Sequence, residues 1–208
     1  MQRTQCEGSG PVRLVTIEVT LPVSLGRMAG HDWVRALLNT ASSAPVATSD
    51  RVRDAVRNAL RATGFKPAGR NKPCPEYLAR VAAEGGLPSI NPVADIGNAV
   101  ALHSGLPVSV VDPDRLTEPL SVRVAEEGSK YVFNASGQEI DVGRLVCLFD
   151  AVGPCACAVK DAQRAKTTPD TARALNLIWG CEALADHVVA TEKWFRELLA
   201  ELGARERE

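Results

Sequence analysis

Two hydrophobic periods follow one another along this chain, and the change between them limits the folds it can adopt. Between residues 50 and 103 apolar side chains recur at helical spacing. From Ser121 to Ile178 they fall instead in short alternating runs, SVRVA, KYVFN, LVCLFD, CACAV and LNLI, separated by turn-rich segments such as EEGS and NASGQE. Helices bring residues three and four apart onto one face, whereas strands bring alternate residues there, so the two regions need different elements. The second region therefore predicts a predominantly antiparallel sheet.

The remaining segments fit helices and strands around that sheet. RLVTIEVTLPV, residues 13–23, reads as an early strand. NTASSAPVATSD, residues 39–50, reads as a loop ending in a helix cap at Ser49 or Asp50. In the helix that follows, Val52, Ala55, Val56, Ala59 and Leu60 form one buried stripe, and Gly64 stops it. GFKPAGRNKPCP, residues 64–75, is too rich in glycine and proline for a regular element and is long enough to be a binding loop. A short helix is predicted from Glu76 to Glu84, then a helix from Pro92 to His103 with Gly105 after its end, then a strand from Pro107 to Val111. An amphipathic helix over about residues 182–202 turns Leu184, Val188, Trp194, Phe195, Leu198 and Leu199 inward.

With 208 residues, 45% hydrophobic and 24% charged, the whole chain can bury one core. The expected fold is a single layered α+β domain over residues 1–208, a mostly antiparallel or mixed central sheet flanked by helices. MQRTQCEGSGPVR lacks the apolar core of a secretory signal, and no later segment approaches the ~20 apolar residues of a membrane span. Both observations predict a cytoplasmic protein with no membrane partner. Six irregularly spaced cysteines, Cys6, Cys74, Cys147, Cys155, Cys157 and Cys181, are expected to be reduced thiols.

A net charge of −1 excludes nucleic-acid binding through bulk charge, so any RNA contact must be a local patch. Arg53, Arg57 and Arg61 recur every four residues and stack three cations on one helix face. Either Asp50 and Asp54 pair with them on a solvated face, or Lys66, Arg70 and Lys72 extend them into a phosphate-binding patch. Cys155 and Cys157 face the same side of a strand, as a metal or redox pair or as small residues lining a core or pocket. No second ligand pair has zinc spacing, and His31, His103 and His187 are scattered, so neither metal nor cofactor is expected. KDAQRAKTTPDT, residues 160–171, offers Lys160, Asp161, Arg164, Lys166, Thr167 and Thr168 to a ligand or simply to solvent.

The helix from Pro92 carries its own polar residues. Asn91 suits the helix start, Asp95 the positive end of its dipole, and Asn98 the same face one turn on. His103 falls in the last turn, where a donor meets free carbonyls.

INPVADIGNAVALHSGLPVSVVDPDRL, residues 90–116, resembles the helix, turn and strand of the editing module in the β subunit of phenylalanyl-tRNA synthetase, the B-three/four domain, and still more its freestanding relatives. The resemblance continues through VRVAEEGSKYVFNASGQEIDVGRLVCLFD and TTPDTARALNLI, covering about residues 50–185. It implies a layered α+β fold, an amino-acid pocket at one edge of the sheet, and hydrolysis of the ester that joins a wrongly attached tyrosine to tRNA. The synthetase module has a histidine where this chain has Ser109 and a glutamate where it has Trp179. Freestanding relatives carry an arginine- and tryptophan-rich stretch where this chain reads PCACAVKD.

A substrate pocket of Ser109, Cys155, Cys157, Lys160 and Trp179 follows from that resemblance, with no catalytic residue assigned. Two functions remain open. One is a freestanding editing module that hydrolyses misacylated tRNA. The other is a repurposed accessory protein that binds an amino-acid-like or activated acyl intermediate for a partner biosynthetic enzyme.

Overall fold

A computed structural model of the chain describes residues 10–207, so Cys6 and most of the N-terminal stretch lie outside the described residues. Strand β1 (Val12–Thr20) pairs along its whole length with β8 (Arg173–Cys181), Val12 opposite Cys181 and Thr20 opposite Arg173. The short strands β2 (Val108–Val111) and β9 (Arg205–Glu206) complete an antiparallel sheet of order β2-β8-β1-β9. A second antiparallel sheet, of order β3-β6-β7, contains β3 (Ser121–Val124), β6 (Val146–Asp150) and β7 (Gly153–Cys157). Between β3 and β6 in sequence, β4 (Lys130–Val132) and β5 (Glu139–Asp141) form a hairpin.

The architecture is α+β with antiparallel sheets, as the alternating runs predict, but those runs divide between sheets. LNLI belongs to β8 at the centre of the first sheet, and its partner β1 lies near the other end of the chain. Periodicity sets which side a residue faces; it does not choose the strand's neighbour. The CACAV run also leaves the sheet early, since β7 ends at Cys157.

Among the described residues, five α-helices pack around these sheets. In α2 (Asp50–Arg61), Ser49 is the cap and accepts from the Val52 amide at 3.2 Å. Its Val52, Val56, Ala59 and Leu60 are buried and Ala55 is half-buried. α3 (Cys74–Ala83) starts two residues before Glu76, because Pro75 fits a first helical turn, whose amides need no intrahelical acceptor. α4 (Pro92–Ser104) starts on Asn91, whose Oδ1 accepts from the Ala94 amide at 3.0 Å, and ends on Gly105 at φ 74°. α1 (Asp32–Leu37) is too short to announce itself by periodicity, and α5 (Ala185–Glu201) follows a single tight turn over Glu182–Leu184. No helix among the described residues is long and apolar enough to cross a membrane.

α4 and α5 cover one face of the first sheet at close range. A Cβ on Gly97 of α4 would stand 2.5 Å from Val110 Cγ2, and one on Gly180 of β8 would stand 2.5 Å from Val188 Cγ2 of α5. Backbone approach of this kind requires glycine. Gly97→Val is expected to lower stability by about 1–3 kcal/mol through overpacking, read as a lower urea midpoint at unchanged slope.

Two polar residues of α4 do something other than their sequence positions imply. Asp95 accepts from the Ile90 amide at 2.8 Å and from Ser89 Oγ at 2.5 Å, fastening the segment before the helix as well as facing its dipole. His103 leaves its own helix end alone. Its Nε2 lies 2.9 Å from Leu37 O at the end of α1, and its ring meets Trp194 of α5 edge-on at 5.8 Å. The α4 carbonyl of Ser104 is met by His187 Nε2 at 2.8 Å, so the cap comes from α5.

Candidate functional site

Ser109 sits on β2 between Val108 and Val110, which face Gly97 of α4. Alternation along the strand therefore turns Ser109 the other way, toward β7. Its hydroxyl donates to Asp161 Oδ1 at 2.6 Å and accepts from Trp179 Nε1 at 2.9 Å. Trp179 reaches it because Ser109 stands opposite Leu177 on β8, which places the indole on the diagonal of the same face. Cys157 closes the ring from β7: its amide donates to Asp161 Oδ1 at 3.3 Å, and its carbonyl lies 3.3 Å from Ser109 Oγ.

The structure thus brings Ser109 and Cys157 together on one carboxylate, with Trp179 bonded to Ser109 behind them. Burial pushes the Asp161 carboxyl up to about 6, against the pull of the Ser109 and Cys157 hydrogen bonds and of nearby Lys166. A carboxyl in that range changes charge close to neutral pH. Ser109 is 1% exposed and gives its proton to Asp161 while taking that of Trp179, so it positions the carboxylate and is not a free nucleophile. Cys155 stands apart from this ring, fully buried with its thiol directed at Leu148 O, 3.3 Å away, and burial pushes that thiol up to about 12.

Cations gather beside Asp161. Lys160 lies 4.0 Å from the Phe133 ring centroid, and its ammonium is destabilised by burial and then by Arg70 and Lys166. Lys166 donates to Phe133 O at 2.6 Å. The Cys74 amide bonds Ala158 O at 3.0 Å and holds the loop of residues 64–75 against the segment that follows β7. Among the described residues, Lys66, Arg70, Lys72, Lys160 and Lys166 form no ion pair.

The cations of α2 behave differently. Arg53 pairs with Asp50 at 2.9 Å and Asp54 at 3.2 Å, Arg57 grips Glu76 of α3 through two bonds of 2.6 and 2.5 Å, and Arg61 donates to Asn58 at 2.9 Å. Two of the three are therefore neutralised locally, one of them by a residue on another helix.

Residues 160–171 are bound into the fold. Arg164 makes two bonds to Asp150, at 2.6 and 2.7 Å, Thr167 accepts from Asn91 at 3.0 Å, and Thr171 donates to Asp112. A cleft of about 450 Å³ opens beside this loop, lined by Arg115, Tyr131, Val132, Ala162, Gln163 and Arg164. The Tyr131 hydroxyl at its wall donates to Lys160 O at 2.5 Å and lies 3.1 Å from Cys157 Sγ. Nothing in the sequence separates Asp161 from the other polar residues of its loop; Tyr131 had a weak signal as the aromatic of an alternating run. Among the described residues no three His, Cys, Asp or Glu side chains are placed to hold a metal ion.

The B3/4 domain model matches residues 58–183, which include Ser109, Cys157, Asp161 and Trp179. The chain belongs to the B3/4 domain family. Similar proteins include the phenylalanine–tRNA ligase beta subunits of Haemophilus influenzae, 32% identical over 87 residues, and of Pseudomonas putida, 32% identical over 122. Those stretches cover 41% and 59% of this B3/4 chain but 11% and 14% of the ligase subunits, so the chain spans a small fraction of these relatives. Among solved structures, an N-terminal fragment of the phenylalanyl-tRNA synthetase beta subunit from Pyrococcus horikoshii is similar at 17% identity and a TM-score of 0.47, over 55% of this chain and 41% of that one.

Proposed function

We propose that this B3/4 module recognises an aminoacyl group carried on tRNA and hydrolyses its ester. The observation that carries the reading is Asp161, a buried carboxylate whose proton affinity is raised, with Lys166 acting on it and Arg70 and Lys166 near its neighbour Lys160. An aminoacyl-tRNA presents an α-ammonium next to its ester and phosphodiesters beyond it. The carboxylate suits the ammonium or the attacking water, and the unpaired cations suit the phosphates. In the hydrolytic step Asp161 takes a proton from water as the oxygen adds to the ester carbonyl; backbone amides would stabilise the oxyanion, and the ribose oxygen leaves protonated. Kinship with tRNA ligase subunits supports a tRNA-linked substrate.

The test is to incubate the protein with correctly and wrongly charged tRNAs. Ester loss should accelerate for at least one mischarged species, and no acceleration for any of them sinks the hydrolytic reading.

A second reading has its own support. Ser109 and Trp179 bond to each other where the synthetase module is expected to have histidine and glutamate. That arrangement suits a site that binds an amino-acid-derived or activated acyl intermediate for a partner biosynthetic enzyme. Calorimetric titration with acyl-adenylate mimics distinguishes the two: tight binding of a mimic with no binding of charged tRNA selects the accessory role. Binding that weakens steeply with added salt points to several phosphate contacts and hence to tRNA.

A further inference from the structure

Sequence spacing sets Cys155 beside Cys157, but the strand register gives Cys157 a different partner. Cys147 on β6 stands directly opposite Cys157 on β7, with both side chains buried. The shift in register between Leu148 and Phe149 leaves Cys155 out of this pairing, with its thiol on the Leu148 carbonyl. Directly opposed residues of an antiparallel pair have Cβ atoms about 4.5–5.5 Å apart, and a disulfide needs about 3.5–4.5 Å. Closure therefore requires the strands to approach by about 1 Å.

We propose that Cys147 and Cys157 are a reversible cross-strand dithiol, oxidised to a disulfide by a small disulfide that enters the cleft at Tyr131. Cys157 is the attacking group. Tyr131, which lines that cleft, has its hydroxyl 3.1 Å from Cys157 Sγ, and the Val159 amide donates to the same sulfur at 3.4 Å. Burial pushes the Cys157 thiol up, but hydrogen bonds, that of Cys147 foremost and that of the Val159 amide among them, outweigh it and lower the thiol, while burial pushes Cys147 up. Arg115 on the cleft wall suits an anionic disulfide.

The electrons balance in two exchanges. The Cys157 thiolate attacks one sulfur of the small disulfide, forming a mixed disulfide and releasing one thiolate, which takes up the Cys157 proton. Cys147, losing its proton, attacks the Cys157 sulfur, and the second small thiol leaves with that proton. Two protein thiols have become one disulfide, and one small disulfide has become two thiols.

Cys157 also holds Asp161 through its amide and faces Ser109 through its carbonyl. Drawing its sulfur toward β6 shifts both contacts, so on the proposed aminoacyl reading the bond would alter the site. The bond itself does not depend on that reading.

The full chain is incubated with oxidised glutathione under conditions that leave its far-UV circular dichroism native. The expected result is an intact mass lower by two hydrogen atoms, restored by dithiothreitol, with non-reducing peptide mapping that joins the Cys147 and Cys157 peptides. Cys157→Ser should lose the mass change and Cys181→Ser should keep it. The map is made on the unaltered chain, so the result stands even if Cys157→Ser misfolds. No mass change, a link through Cys155, or a link that forms only in urea overturns the proposal. Deacylation is measured separately on the reduced protein, so failure of the aminoacyl reading and failure of the dithiol are distinguishable.

Discussion

Replacing Arg164 by alanine is expected to cost about 3–5 kcal/mol of folding stability, because it strands a buried carboxylate. The Asp150 side chain is fully buried, and Arg164 meets both of its oxygens, at 2.6 and 2.7 Å, while adding a bond to Gly153 O. The amides of Thr117, Val152 and Gly153 donate to the same carboxylate at 3.0–3.1 Å, so it cannot turn toward water. Burial raises the Asp150 carboxyl, but these hydrogen bonds and the guanidinium outweigh it and hold it down at about 2. A carboxyl depressed on folding stabilises the native state above its unfolded value of ~3.9, and that stability is lost as pH falls toward 2. The contribution is about 2 kcal/mol.

Urea unfolding of Arg164→Ala at neutral pH measures the loss, and a cost under about 1 kcal/mol would mean that the pair behaves like one at the surface. The double variant Asp150→Asn with Arg164→Ala should recover part of it, since the unpaired charge is then gone.

Asp161→Asn is the second large effect, and it acts on function and on pH dependence together. Asparagine keeps an oxygen for the Ser109 hydroxyl and the Cys157 amide, so the ring of hydrogen bonds persists. What is removed is the ionisable group, and with it the proposed base or ammonium partner. Deacylation, or binding of an acyl-adenylate mimic, should fall by about 10²-fold or more at neutral pH. Asp161 has its folded value raised to about 6, so the native state holds a proton that the unfolded chain would release. Between about pH 4 and 6 stability should therefore fall as pH rises, by roughly 2–3 kcal/mol. The asparagine variant should be flat across that window and more stable than the parent above it. A parent whose urea midpoint does not change between pH 4 and 6 would refute the raised carboxyl.

The helices were legible wherever a cap, a stripe and a stop coincide. α2 shows Ser49, its buried stripe and Gly64 in order, and α4 shows Asn91, Pro92 and Gly105. These signals are local, since each depends on residues within a turn or two of one another. α1 and β9 were not legible, being six and two residues long, too short for any period to register. The family was legible from residues 90–116 and their continuation, and the B3/4 match over residues 58–183 agrees with that reading.

At the candidate site, Ser109, Cys157, Lys160 and Trp179 could be named from the chain, but not the carboxylate that Ser109 and Cys157 share. Asp161 lies 52 positions from Ser109 and was one polar residue among many in its loop. The cations show the same limit. Arg57 looks available from its helix alone, and Glu76, 19 residues away, takes it up. Lys160 and Lys166 look like ordinary loop lysines until folding brings Lys166 and Arg70 close enough to disfavour the Lys160 ammonium.

By itself the sequence determined the two periods, hence the α+β class, the capped starts and glycine stops of α2 and α4, and the family. Those depend on steric and hydrogen-bonding preferences that act over a few residues. Only the tertiary structure decided which strands are neighbours, that Cys147 rather than Cys155 faces Cys157, and that Asp161 is buried within reach of Lys166. Strand partnership and burial are set by the packing of residues far apart in the chain, and a carboxylate's proton affinity follows from the water that packing removes.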